Sequence, residues 1–135
     1  MEPLKDEGQI QMLVYAYMGD TVYDLFVRER LIHQHPLETA HGMHRRAVAL
    51  VRCGAQARTL AAIDSRLSED EKDIVRRGRN AKSPSVPKNA DVREYRLATG
   101  FEALLGYLYL HGRQERLQEI LQFCEELGWR EEQHG

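Results

Sequence analysis

Helical periodicity runs through this chain almost from end to end, and it limits the fold more than any other feature. From Ala40 the apolar positions Met43, Ala47, Leu50, Val51, Gly54, Ala57, Leu60 and Ala61 recur at three- and four-residue steps. That spacing marks one face of a long helix. Leu97, Phe101, Leu104, Leu105 and Leu108 predict a second helix. Leu117, Ile120, Leu121, Cys124 and Leu127 predict a third, with Gly128 placed as its C-terminal cap. Ser68 followed by Glu71 is a capping-box pattern opening a helix that carries Ile74 and Val75. The stretch from Ile10 to Ile32 is also helical in period, with an interruption expected at Gly19. Alternating strand patterns never exceed four residues, so the expectation is an all-α domain of five to seven helices.

A chain of 135 residues fits one domain rather than two, here 1–135 with a core over about 8–128. At this size a fold buries roughly two-thirds of its unfolded surface, enough for a core without staples. Apolar runs fall short of the roughly 20 residues that span a bilayer, and the first residues lack a signal-peptide pattern. A cytoplasmic protein with no membrane partner is therefore expected. The two cysteines, Cys53 and Cys124, lie in apolar helical stripes and are expected as buried thiols in a reducing compartment.

Two connections break the helical pattern. His33-Gln34-His35-Pro36 ends a helix, because the residue before proline is pushed out of helical geometry. The other runs from Ala81 to Asp91 and holds Pro84, Pro87, two serines and Asn89. A proline-pinned loop of this composition suits contact with phosphates.

Charge points the same way. The formal net charge is only −2 and the pI about 6.3, which excludes a globally basic nucleic-acid binder. Between Arg76 and Arg96, however, seven basic residues stand against two acidic ones, leaving a balance of −7 for the rest. Such asymmetry predicts a cationic patch facing a polyanion. The residues expected to grip the phosphates of such a polyanion are Arg76, Arg77, Arg79, Asn80, Lys82, Ser83, Lys88 and Asn89. The alternative is that the arginines cover the helix surface and pair with Glu69, Asp70, Glu71 and Asp73.

Chemistry has few candidates. His33, His35, His41 and His44 fall close together, but no cysteine or carboxylate lies at a spacing that would complete a zinc site. Phosphate-binding glycine loops, nucleophile elbows and Cys-X-X-Cys motifs are missing. What remains are two carboxylates among apolar neighbours. Asp20 sits in Tyr17-Met18-Gly19-Asp20-Thr21-Val22-Tyr23, and Glu102 in Thr99-Gly100-Phe101-Glu102-Ala103-Leu104-Leu105-Gly106. Acids in such surroundings are costly unless they are paired or hold a cation. Two oxygen ligands on two helices suit magnesium. Pairing of Asp20 with an arginine, and of Glu102 with a backbone amide or lysine, would serve equally well.

These two segments resemble the paired signatures of ribonuclease III catalytic domains, Leu-Gly-Asp-Ala-Val and Glu-Ala-Leu-Ile-Gly. The end of the chain soon afterwards, Arg76-Arg77-Gly78-Arg79-Asn80-Ala81-Lys82-Ser83, Pro87-Lys88-Asn89 and Tyr95-Arg96 are similar to the compact Mini-ribonuclease III branch, which lacks a double-stranded-RNA-binding domain. The resemblance extends from about Ile10 to Leu127. It departs from the usual pattern at Ala16 and Thr99, where the family usually carries further acids.

The resemblance implies a magnesium-dependent endoribonuclease, with manganese as a substitute cation, that cuts double-stranded RNA to 5′-phosphate and 3′-hydroxyl ends. It makes Asp20 and Glu102 the catalytic and metal-binding pair, with Thr99 near a water of the site. It also implies a homodimer and, as substrate, large-subunit ribosomal RNA precursor. Asp24 is expected to pair with Arg28 one turn on. The rival reading is a non-catalytic RNA-binding or ribosome-associated helical module.

Overall fold

The computed structural model describes residues 1–5, 10–82, 86 and 88–129. Six α-helices carry the described chain: α1 Met12–Gln34, α2 Ala40–Val51, α3 Cys53–Ile63, α4 Glu69–Asn80, α5 Val92–Leu110 and α6 Gln114–Phe123. A 3-10 turn, Asp64–Arg66, follows α3, and a π-helical turn, Cys124–Gly128, follows α6. No strand occurs among the described residues. The all-α expectation holds.

Helix α5 is the axis of the fold. Its buried residues include Ala98, Gly100, Phe101 and the whole run from Ala103 to Leu108. A helix apolar on nearly every side must be covered on every side, and α1, α3, α4 and α6 all pack on it. Around it, Tyr15, Tyr23, Leu31, Ile63, Leu117 and Ile120 complete the fully buried core. Tyr23 meets Phe101 edge-on at 4.9 Å between ring centroids, and its hydroxyl accepts from the Trp129 indole at 2.9 Å. That bond ties the end of the described chain to α1.

The helix boundaries follow local chemistry. Ser68 and Glu71 form the complete capping box that opens α4. Arg116 donates to both oxygens of Glu71 at 2.8 Å, fastening α4 to α6 and holding the Glu71 carboxyl below its usual range. α1 ends at Gln34, just ahead of Pro36, and Asp91 caps α5. Asp24 pairs with Arg28 at 3.1 Å.

Three expectations need correction. α1 runs through Gly19 without interruption. A side chain there would overlap the carbonyl oxygen of Glu102, and one at Gly106 would overlap that of Tyr15. The two glycines let α1 and α5 meet backbone to backbone, so Gly19 serves packing rather than a break. The helix expected from Ala40 to Ala61 is two helices, divided at Arg52, whose backbone is extended (φ −64°, ψ 157°). Gly128 is not a left-handed cap; a Cβ there would press on Thr59 at 2.8 Å. Among the described residues, no helix is long and apolar enough to cross a membrane.

Candidate active site

The contact between Gly19 and Glu102 brings the two candidate acids together. Asp20 follows Gly19 on α1 and is exposed; Glu102 lies opposite on α5 and is half-buried. Burial, a hydrogen bond to Asp20 and the like charge of Asp20 push the Glu102 carboxyl up to about 9, against a smaller opposing pull from Gln56. Near neutral pH the Glu102 carboxyl is therefore held in its protonated form. Among the described residues, neither acid has the arginine, lysine or backbone amide partner that the structural alternative required.

Gln56, on α3, is the third member. It is 2 % exposed, and its Nε2 donates to Glu102 Oε2 at 3.2 Å and to the Val51 carbonyl at 2.8 Å. Among the described residues, its Oε1 is buried without a hydrogen-bond partner. Cys53, the first residue of α3, is half-buried rather than buried. Desolvation and then the charges of Glu102 and Glu94 push its thiol up, which makes it a poor nucleophile. Cys124 is buried, as expected. Thr99 gives its hydroxyl proton to the Tyr95 carbonyl at 2.9 Å. Gly106, one turn beyond Glu102, packs on α1.

Gln56 and Cys53 were not expected at the site. Only the polar amide inside an apolar helix could have flagged Gln56, and the assumed straight helix turned it outward. Among the described residues, no three His, Cys, Asp or Glu side chains gather into a metal cage. Two carboxylates with no histidine or thiolate cage form an oxygen site. That fits magnesium, which keeps much of its water and binds through one or two carboxylates.

The basic residues divide between two grooves. Arg76, Arg77, Asn80 and Lys82 line a groove of about 570 Å³ with Ile10 to Leu13 at the start of α1. Arg79 lines another of about 420 Å³, between α3, α4 and α5, together with Lys72, Arg76 and Arg93. Arg76 also pairs with Asp73, so part of the surface-pairing alternative is realised. Lys88 and Asn89 are exposed in the turn before α5, with Asn89 at φ 70°. Ser83 lies outside the described residues.

Comparison with known proteins agrees with the fold. Residues 13–113 match the Ribonuclease III domain. The chain is 49% identical to the Mini-ribonuclease 3 of Thermoanaerobacter sp. (strain X514) over 123 residues, covering 90% of this chain and 86% of that one. It is 51% identical to the Mini-ribonuclease 3 of Symbiobacterium thermophilum over 110 residues, 82% of this chain and 84% of that one. A crystal structure of a Fusobacterium nucleatum protein superposes with a TM-score of 0.79 at 26% identity, covering 91% of this chain and 98% of that one. The chain belongs to the ribonuclease III family, in its Mini-ribonuclease 3 branch, and is an endoribonuclease.

Proposed function

We propose that this endoribonuclease is magnesium-dependent and cuts double-stranded RNA, with Asp20 and Glu102 holding the cation. The observation that carries this reading is the pair of carboxyls from two helices, brought together where Gly19 lets α1 meet α5, with the Glu102 carboxyl buried against Asp20. A domain free of chemistry gains nothing from two acids in that position, since like charges repel and burial is costly. Bound between them, magnesium would activate water for in-line attack and offset charge on the leaving 3′-oxygen. Manganese offers the same coordination.

The remaining steps belong to the chain. Asp20, on the exposed side, faces the solvent from which a phosphate arrives, and Glu102 anchors the site from α5. The two basic grooves grip backbone phosphates, and A-form RNA presents mainly phosphates and 2′-hydroxyls to such a surface. Products would carry 5′-phosphate and 3′-hydroxyl ends. The natural substrate would be large-subunit ribosomal RNA precursor in the cytoplasm. The test compares long duplex RNA with a single strand of the same sequence, in magnesium and in chelator. Cleavage of the duplex in magnesium alone is expected; equal cleavage of both, or cleavage in chelator, contradicts the reading.

A homodimer completes the proposal, with one site for each strand. Its support is a stripe along the outer face of α1, where Val14 (48 % exposed), Tyr17 (81 %), Leu25 (67 %) and Ile32 (54 %) stand in water at helical spacing. Exposed apolar side chains repeated along one helix face, with Thr21 and Arg28 between them, suit an interface. Light scattering should give about 31 kDa, twice the 15.6 kDa chain, and Tyr17→Asp should shift the protein towards monomer. A monomeric parent at micromolar concentration would refute the dimer.

The phosphate grip has its own measurement. Replacing Arg76, Arg77 and Arg79 by alanine should weaken duplex binding alike for all sequences. The slope of log affinity against log salt should flatten by about 0.7 to 0.9 for each phosphate that the variant no longer neutralises. An unchanged slope would mean that these arginines only cover α4.

A further inference from the structure

Gln56 stands out among the buried polar groups. Its amide hydrogens go to two acceptors on different helices, the Val51 carbonyl at the end of α2 and the Glu102 carboxyl on α5. Both partners are acceptors, so the amide cannot be turned over without setting oxygen against oxygen. Its orientation is therefore fixed, and so is the place of Oε1, which is buried and has no partner among the described residues. An acceptor left in that state bears its full desolvation penalty with no hydrogen bond to offset it. A side chain serving the core alone would avoid the cost, since methionine fills the same volume with no polar atom.

The kink at Arg52 explains how Gln56 comes to lie there. Arg52 ends α2 and starts α3: its N–H donates to Val48 and its carbonyl accepts from Gln56 N at 3.0 Å. The break turns α3 so that Gln56 faces inward, and the Gln56 side chain then takes up the freed Val51 carbonyl.

We infer that Gln56 is a positioning residue of the active site: it pins one oxygen of Glu102 from behind, leaving the other directed to the cation shared with Asp20. Its buried Oε1 is held as an acceptor for a donor that comes with the hydrated cation. Partners behind a ligand set its orientation, and losing one typically costs 10–100-fold in metal affinity or activity. The inference rests on the proposed role of Asp20 and Glu102, and it requires no contact between Gln56 and RNA.

The test is manganese titration by calorimetry on full-length protein, run in parallel for parent, Gln56→Met, Gln56→Asn and Glu102→Gln, with thermal unfolding in chelator and duplex binding without metal. Gln56→Met keeps the volume but neither hydrogen bond, and Gln56→Asn keeps the amide but is too short to span Val51 and Glu102. Either variant that unfolds cooperatively should bind manganese 10–100-fold more weakly, lose kcat more than KM for RNA, and bind duplex as the parent does. Parent-like manganese affinity in a folded variant overturns the inference, whatever its stability, and so does failure of both to fold, which would make Gln56 a core residue. If the parent binds no manganese, or Glu102→Gln binds it as the parent does, the metal-site reading itself fails.

Discussion

Glu102→Gln is expected to make the metal-free protein more stable, by about 2 to 4 kcal/mol at pH 8. In the folded chain the Glu102 carboxyl titrates near 9, well above its usual value, because it is buried and faces Asp20. An acid whose folded pKa is raised favours folding while it is protonated. That contribution is fully present below the unfolded value near 4.5 and is lost as pH rises towards 9. Glutamine removes the titration and keeps the hydrogen bonds, since its oxygen can accept from Gln56 and its amide can donate to Asp20. Denaturation in chelator should show the gap opening from about pH 5 and widening to pH 9. A variant no more stable than the parent across that range would show that Glu102 is not a strained acid.

Gly19→Ala should be among the most damaging single substitutions. The added methyl meets the Glu102 backbone carbonyl rather than a side chain that could swing away. Helices α1 and α5 would have to separate, at a cost of about 3 kcal/mol, the upper end for overpacking. The same movement carries Asp20 away from Glu102. A displacement of about 1 Å at a reacting centre can cost 100-fold in rate, so the folded fraction should also cut RNA poorly. Urea unfolding and single-turnover cleavage test the two halves separately. Parent-like stability would mean that the helices do not meet at Gly19.

The sequence carried the fold class and most helix ends in local signals: the Ser68–Glu71 capping box, Pro36 behind α1, and the apolar periodicity of α5 and α6. It also marked Asp20 and Glu102, because acids flanked by glycine inside apolar helices are anomalous. The glycines read differently. Gly19 looked like a helix break, since the partner that requires it, α5, lies some eighty positions away. The largest miss came from one residue. A single helix from Ala40 to Ala61 would set Ala57 and Ala61 on the inner face, whereas Ala61 is exposed. The extended backbone at Arg52 shifts the phase of α3, turning Gln56, Thr59 and Ile63 inward instead. No glycine or proline stands at position 52 to announce the break. The basic run was legible as charge, but its division into two grooves depends on how α4 lies against α1 and α5.

The most direct measurement of the central claim is the cleavage of duplex RNA by Asp20→Asn in saturating magnesium, alongside its binding of the same duplex without metal. The substitution keeps the side chain's size on an exposed face of α1 and removes one of the two charges offered to the cation. Cleavage should fall about 100- to 1,000-fold, the range seen when a group acting in the transition state is lost, while duplex affinity and its salt dependence stay at the parent values. Cutting at close to the parent rate would contradict the assignment of Asp20 and Glu102 as the metal-holding pair.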